Sequence, residues 1–309
     1  MHYTLHQLQI FVKISEKQSI TKAAEALHLT QPAISIQLKN FQEQFKIPLT
    51  EVIGRQLYLT DFGKEVEQAA QKILAEVGNL QHKVNAYNGQ LSGKLKISAV
   101  STGKYLMPFF LSDFLKIHPN VELELDVTNK SRVIDALEAN ETDLALVSII
   151  PENLNVNKLD LLPNSIHMVG QPGLKLKGKN INSVISSSTP IIYREKGSGT
   201  RSAVEKFFTE HNMNISNKLE LTSNEAVKQA ILAGLGYSLM PIIGLRNELT
   251  MGQLEIYPIQ GLPIRSQWNL IWHKGKQFSP VTETYIQYLI QHKDQLIANY
   301  FNWYEQFEN

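Results

Sequence analysis

The spacing of apolar residues near the amino end of the chain predicts three short helices. Apolar side chains recur at intervals of three and four over residues 3–14, and again after Ser19, which is a preferred N-cap. Thr30 is a second candidate N-cap, and Pro32 falls in the first turn of the third helix, where a missing N–H does no harm. The second and third helices are therefore expected to meet at a tight turn.

The third helix has two distinct sides. Its apolar stripe consists of Ile34, Leu38, Phe41 and Phe45. A second stripe carries amide, hydroxyl and ammonium groups and consists of Gln31, Pro32, Ser35, Lys39 and Gln42. Such groups can bond base edges or phosphates in a major groove that admits one helix. This pattern favours a helix-turn-helix, although an ordinary helical hairpin remains an alternative on the pattern alone.

Two further elements follow the helices. Residues 47–59 predict a two-stranded wing around Gly54 and Arg55, where Arg55 either enters a minor groove or is a solvated turn residue. Asp61 then opens a long helix, 61–88, whose apolar residues step by four and three: Phe62, Val66, Ala69, Ile73, Val77, Leu80, Val84 and Tyr87. A period near 3.5 is typical of a coiled coil, so we expect this helix to pair with its copy in a second subunit. Burial within its own chain is the alternative.

Beyond a short hinge at 89–93, strands alternate with helices. Buried strands are predicted at 95–100 and 143–149, with helices and a strand of alternating apolar and polar residues between them in the sequence. The same order of strands and helices recurs from 165 to 241. This βαβ rhythm predicts a mostly parallel sheet in each of two lobes. A last strand and helix, from 268 to 292, return the chain to the first lobe. We expect lobe 1 to comprise about 94–163 and 267–309, and lobe 2 about 164–266.

Composition narrows the class of protein. The 309 residues suffice for two or three domains, and a net charge of +1 with 43% hydrophobic residues is ordinary for a globular chain. The absence of Cys fits a reducing compartment. The amino end lacks the pattern of a signal peptide, and no apolar run is long enough to span a membrane. We therefore expect a cytoplasmic protein that does not associate with membranes.

The amino-acid sequence of residues 5–66 contains several motifs that together are specific to one protein family. The Ala-Ala of the second helix, the run Thr-Gln-Pro-Ala-Ile-Ser that opens the third, and Leu-Thr-x-x-Gly at 59–63 resemble the N-terminal domain of the LysR-type transcriptional regulators. The resemblance implies a winged helix-turn-helix DNA-binding domain (1–60), a linker helix and a periplasmic-binding-protein-like effector domain (94–309). It implies a homodimer or homotetramer on a near-palindromic operator. Together with the helix faces, it gives the expected DNA contacts Thr30, Gln31, Pro32, Ser35, Lys39 and Arg55. The stripe of the long helix gives the expected dimer contacts Val66, Ala69, Ile73, Val77, Leu80 and Val84.

Two departures from the family pattern bear on DNA affinity. Many members carry Arg or Lys directly after the Ser of the third helix, where this chain has Ile36. Many also carry Phe and Arg in the segment that is Thr50–Val52 here. An Ile can touch a thymine methyl but cannot hold a phosphate. Since acidic and basic residues nearly balance over residues 1–62, we expect modest, salt-dependent binding.

Three stretches in the second half have the composition of an anion site. Each follows a predicted strand and opens a helix, where free N–H groups and the helix dipole attract negative charge. The candidate effector-binding residues are Ser101, Thr102, Thr128, Asn129, Ser198, Gly199 and Thr200. Service as N-caps alone is the alternative for each. The run at 194–201 also resembles the branch of the family that includes carbon-fixation and sulfur-assimilation regulators.

The sequence lacks the catalytic signatures of a phosphate-binding loop, a zinc helix or a nucleophile elbow. We therefore expect neither enzymatic activity nor a bound metal or cofactor. Two functions remain, a DNA-binding regulator controlled by a small anionic effector, and a solute-binding module whose N-terminal helices only oligomerise. The polar face of the third helix and the absence of a signal peptide favour the regulator.

Overall fold

The computed structural model describes residues 3–54, 56–87, 91–173, 189–213, 215 and 217–307, and it divides into two compact units, Met1–Gly89 and Gln90–Asn309. The first unit consists of α1 (Leu5–Lys17), α2 (Ile20–Ala26), α3 (Gln31–Gln42), β1 (Thr50–Ile53), β2 (Gln56–Leu59) and α4 (Asp61–Tyr87). None of the described helices is both long enough and apolar enough to cross a membrane.

Local capping chemistry sets the helix-turn-helix. The Ser19 side chain accepts a hydrogen bond from the N–H of Lys22 and begins α2. His28 adopts a left-handed φ of 54° in the turn, and α3 starts after Thr30 with Pro32 in its first turn. The buried Ala23 and Ala24 have short side chains, which lets α2 pack closely in the core. The predicted turn and helix starts are therefore confirmed.

The buried side of α3 builds the core of the first unit. Ile34, Leu38 and Phe41 are at most 5% exposed, as the apolar stripe predicts. The ring of Phe41 lies 5.2 Å from that of Phe11 on α1 and 5.1 Å from the partly buried Phe45. This packing fixes the orientation of α3, so its opposite side must face outward.

The apolar stripe of α4 divides into two parts. Phe62 and Val66 are partly buried against the core of the first unit. Val66, which the sequence pattern assigns to a partner helix, therefore already packs within its own unit. Ile73, Val77 and Leu80 are 40%, 39% and 59% exposed, and Ala69 is also exposed. The side chain of Val84 lies outside the described part of the chain.

In the second unit the described strands are β3 (Gly93–Val100), β4 (Val121–Thr128), β5 (Leu144–Val147), β6 (Val156–Gly170), β7 (Ile191–Arg194), β8 (Lys218–Leu221), β9 (Ser238–Pro241), β10 (Glu255–Tyr257) and β11 (Ile264–His273). The helices are α5 (Met107–Ile117), α6 (Lys130–Glu138), α7 (Gly199–Glu210), α8 (Asn224–Leu232), α9 (Arg246–Thr250) and α10 (Pro280–Tyr300). Short 3-10 helices span Ser101–Tyr105, Ile242–Gly244 and Asn302–Phe307.

The main sheet is mixed, which corrects the prediction of a mostly parallel one. Its order is β10-β6-β11-β5-β3-β4, and β9 also pairs with β6. β3 is parallel to β4 and β5, and β7 is parallel to β8. However, β11 is antiparallel to both β5 and β6, and β9 and β10 are antiparallel to β6. The two long strands β6 and β11 pair along their length and run through both predicted lobes.

A polar cluster lies where β6 and β11 pass from one predicted lobe to the other. The amide of Asn164 donates to the hydroxyl of Ser266 on the paired strand at 2.9 Å. The backbone N–H and the hydroxyl of the buried Ser165 both donate to the Tyr304 hydroxyl, at 2.8 and 3.1 Å. The C-terminal 3-10 helix is therefore tied to the crossing point by one phenol group.

The two predicted lobes share part of their hydrophobic core. One cluster of buried side chains joins Phe110 and Trp268 of lobe 1 with Val227, Ile231 and Met240 of lobe 2. A second cluster, which includes Phe207, Phe208 and Tyr237, lies between α7 and the other strands of lobe 2. The α8 side of lobe 2 is therefore continuous with lobe 1, while the α7 side has its own core.

We expect Tyr304→Phe to lower the free energy of unfolding of the second unit by about 1–3 kcal/mol, because the buried donors of Ser165 lose their acceptor. Urea unfolding followed by tryptophan fluorescence isolates this unit, since Trp268, Trp272 and Trp303 are the only 3 Trp of the chain. Tyr300→Phe is the matched control, because the Tyr300 hydroxyl bonds no described residue. Equal effects of the two substitutions would contradict the assigned role of Tyr304.

Candidate functional site

The outward side of α3 carries most of the predicted DNA contacts. Gln31, Pro32 and Lys39 are exposed, whereas Ser35 is partly buried. Thr30 is also exposed and occupies the N-cap position without a side-chain capping bond. The first N–H groups of α3 and the Thr30 hydroxyl are thus open to an external acceptor such as a phosphate oxygen.

Two residues of the predicted polar stripe of α3, Lys39 and Gln42, have partners within the first unit. The Lys39 ammonium lies 3.8 Å from the Glu43 carboxylate, but both side chains are largely exposed, so this pair is weak. The Gln42 amide oxygen accepts a hydrogen bond from the Thr50 hydroxyl, which ties α3 to the first strand of the wing. Gln42 is therefore a structural link on the predicted polar face. Arg55 lies outside the described residues.

In the second unit, the three predicted effector stretches meet. The Ser101 hydroxyl, directly after β3, accepts hydrogen bonds from Arg194 Nη2 at 3.1 Å and from Asn224 Nδ2 at 3.4 Å. At the start of α6, the N–H of Ser131 donates to the carbonyl of Gly197 at 3.4 Å. Each contact joins lobe 1 to lobe 2, so this junction is built from the ends of β3, β4 and β7.

Some of the predicted residues of this junction cap helices with their side chains, whereas others have hydroxyls that bond no described residue. Asn129 Oδ1 accepts from the N–H of Arg132 at 3.1 Å, and the buried Ser198 Oγ accepts from the N–H of Arg201 at 3.4 Å. Both therefore act as helix caps, the alternative that their positions left open. Thr102 is buried, Thr128 is partly buried at the end of β4, and Gly199 and Thr200 form the first turn of α7. The hydroxyls of these threonines bond no described residue.

Arg194, at the end of β7, is a polar residue of this junction that the candidate list lacked. Its side chain is 4% exposed, with Nε and Nη2 bound to the Glu195 carboxylate at 2.8 and 2.9 Å. Arg201 Nη1 donates to the Arg194 carbonyl at 2.9 Å and so holds the end of the strand. Arg194 Nη1 is buried and has no hydrogen-bond partner in the described structure. A buried unpaired donor is unfavourable, so an acceptor that reached it would stabilise the structure.

Lys130, the first residue of α6, is a second polar residue of the junction that was not among the predicted effector-binding residues. It is partly buried, and burial lowers the pKa of its ammonium group below the usual range. No carboxylate among the described residues pairs with it. A Cβ on Gly199 would stand 3.6 Å from the Cδ of Lys130, so this side chain crosses from lobe 1 to the start of α7. The described part of the junction thus holds a positive charge that no described carboxylate pairs. The described residues contain no group of His, Asp and Glu placed to hold a metal ion.

Two family models cover almost the entire chain. Residues 5–64 match the model described as bacterial regulatory helix-turn-helix protein, lysR family. Residues 88–294 match the model described as LysR substrate binding domain. The first match covers most of the first unit but little of α4, and the second covers most of the second unit.

Curated relatives and solved structures agree with these models. The chain is 36% identical to the HTH-type transcriptional activator CmpR of Synechocystis, over 94% of this chain and 96% of the relative. It is 36% identical to a RuBisCO operon transcriptional regulator of Acidithiobacillus ferrooxidans, over 93% and 94% of the two chains. The regulatory domain of Synechocystis CcmR, solved in complex with 2-PG, is 34% identical with a TM-score of 0.60, covering 68% of this chain and 99% of that one. The chain therefore belongs to the LysR family of bacterial transcriptional regulators.

Proposed function

We propose that this protein regulates transcription in the cytoplasm as a dimer or tetramer on a near-palindromic operator, under the control of a small anion bound at the lobe junction. The observation that carries the effector proposal is the buried Nη1 of Arg194, for which the described residues offer no acceptor. The solute-binding alternative is not favoured, because residues 5–64 match a regulatory helix-turn-helix family.

The surface of α3 supports the DNA-binding half of the proposal. Gln31 is exposed and carries both a donor and an acceptor, the combination that can form two hydrogen bonds with adenine. The open N-cap of α3 suits a backbone phosphate. Residues at the start of the recognition helix are those that contact base edges in helix-turn-helix proteins.

The charges at the lobe junction support an anionic effector. Lys130 has no counter-ion among the described residues, and Arg194 offers one free N–H edge, so a carboxylate or phosphate group would satisfy both. The free threonine hydroxyls add neutral donors. Because a related regulatory domain is solved in complex with 2-PG, we propose 2-PG or a similarly small anion as the effector.

Contacts to both lobes connect effector binding with the rest of the protein. Ser101 and Lys130 belong to lobe 1, whereas Arg194 and Gly199 belong to lobe 2, so a ligand held by all of them would favour one arrangement of the lobes. A ligand shifts such an equilibrium only by the difference between its affinities for the two arrangements. We propose that this difference reaches the DNA-binding units through the linker helices of a dimer.

The exposed part of the α4 stripe supports self-association. Ile73, Val77 and Leu80 are apolar and 39–59% exposed, and they follow one another at intervals of four and three. Two such stripes that pack together remove apolar surface from water, which stabilises a dimer. The remaining dimer residues, Ala69 and Val84, would extend this seam at its two ends.

Gln31→Ala should reduce discrimination between operator and random DNA by about 1–3 kcal/mol, because it removes a bidentate base contact. Affinities for an operator that the protein selects from random duplexes and for an unselected duplex provide the measurement. Gln9→Ala, an exposed Gln on α1, is the control and should change neither affinity. An equal loss on both DNAs would limit Gln31 to backbone contacts.

Lys130→Met should abolish the thermal stabilisation of the protein by 2-PG. In the wild type, ligand at a hundred times its Kd stabilises by about 2.7 kcal/mol. Lys196→Met, in the exposed part of the same junction, should keep the stabilisation. The anion site would be contradicted by full retention in Lys130→Met, or by a wild-type protein that 2-PG, inorganic phosphate and sulfate all fail to stabilise.

Ile73→Asp combined with Val77→Asp should convert the protein into monomers, since each substitution puts a charge into the proposed seam. Sedimentation velocity measures the result directly. Lys72→Asp places the same charge on an exposed polar position of α4 and should leave the assembly intact. A double variant that still sediments as the wild type would place the self-association surface elsewhere.

A further inference from the structure

The outward side of the first half of α3 includes a large apolar residue, Ile36. Ile36 is 58% exposed and lies on the side of the helix opposite Ile34, which is fully buried. Steps of about 100° per residue place Pro32, Ile36 and Lys39 along one outer ridge of α3. The ridge that would enter a groove first therefore has an isoleucine between a proline and a lysine.

The apolar character extends around Ile36. Pro32 and Ala33 are exposed as well, so the amino-terminal half of α3 presents three apolar side chains beside the amide of Gln31. None of these three side chains can donate to a phosphate or bond a base edge. Water leaves such a surface favourably when it meets another apolar surface.

The major groove of DNA offers one apolar group, the C5-methyl of thymine. A helix that lies in the groove brings its outer ridge against the base edges. We propose that Ile36 is a specificity-determining residue that reads a thymine methyl in each half-site of the operator. In place of a phosphate contact, which would hold any sequence, this position supplies a contact that depends on the base.

Two consequences distinguish this role from a merely exposed side chain. Loss of one methyl contact changes affinity by about fourfold, on the scale of one buried methylene. The loss is also specific to one thymine position, whereas a general defect in folding or in phosphate contacts weakens all DNA equally.

The test uses the full-length protein and an operator that it selects from random duplexes. Deoxyuridine, which lacks only the methyl group, replaces each thymine of the operator in turn, and Kd is measured for the wild type and for Ile36→Ala. We expect one thymine per half-site at which deoxyuridine weakens the wild type about fourfold and leaves Ile36→Ala unchanged. The proposal is overturned if no thymine shows a larger effect in the wild type than in Ile36→Ala.

Two further variants make the result specific. Ile47→Ala removes another exposed isoleucine of the same unit, 53% exposed and outside α3, and should keep the full sensitivity to deoxyuridine. Ile36→Arg should lose this sensitivity, bind random DNA more tightly and steepen the dependence of log K on log salt by about 0.9 for each subunit. Loss of the sensitivity in Ile47→Ala, or its retention in Ile36→Arg, would contradict a direct contact between Ile36 and the methyl group.

Discussion

The central constraint on the second unit is that two cationic side chains are removed from water, wholly or in part, without a full set of neighbouring acceptors. Burial lowers the pKa of Lys130, and one edge of the Arg194 guanidinium has no acceptor in the described structure. Both groups would be more stable in water or beside an anion. Instead, the fold holds them where the ends of β4 and β7 meet, with Arg194 bonded to Ser101 and Lys130 beside Gly199. An anion at this point would compensate the charges and join the lobes at the same time.

The strands that run through both lobes make this arrangement possible. β6 and β11 pair along nearly their entire lengths, so the lobes are parts of one sheet whose crossing point is held by Asn164, Ser165 and Tyr304. The core continues from lobe 1 to the α8 side of lobe 2, whereas α7 packs on a separate cluster. Because α7 begins at the junction, its position is the one that a bound anion would influence most directly.

The structure of the first unit could largely be predicted from local sequence signals. Prediction of the second unit was limited, because its strand pairing depends on residues that are far apart in the sequence. Caps such as Ser19 and the stripe around Ile34 act within a few residues, so their outcome can be read from sequence. The pattern placed the start of a strand at Ser165, yet β6 begins at Val156 and continues through Pro163, next to a shift in the register with β11. Whether Lys130 lacks a counter-ion and Arg194 Nη1 lacks an acceptor in the described structure depends on contacts with distant residues, which no local pattern reveals. The regular apolar stripe of α4 likewise gives no sign that Val66 packs against the core of its own unit whereas Ile73 remains exposed.

The most direct test of the account is calorimetric titration of the full-length protein with 2-PG in buffers of different ionisation enthalpy, above neutral pH. An anion beside Lys130 restores the charged form of its ammonium group, so its lowered pKa must rise on binding. We expect saturable binding of one 2-PG per chain, with net uptake of protons that grows as the pH approaches the lowered pKa of the free ammonium group. Binding that does not saturate, or that releases protons throughout this range, would contradict it.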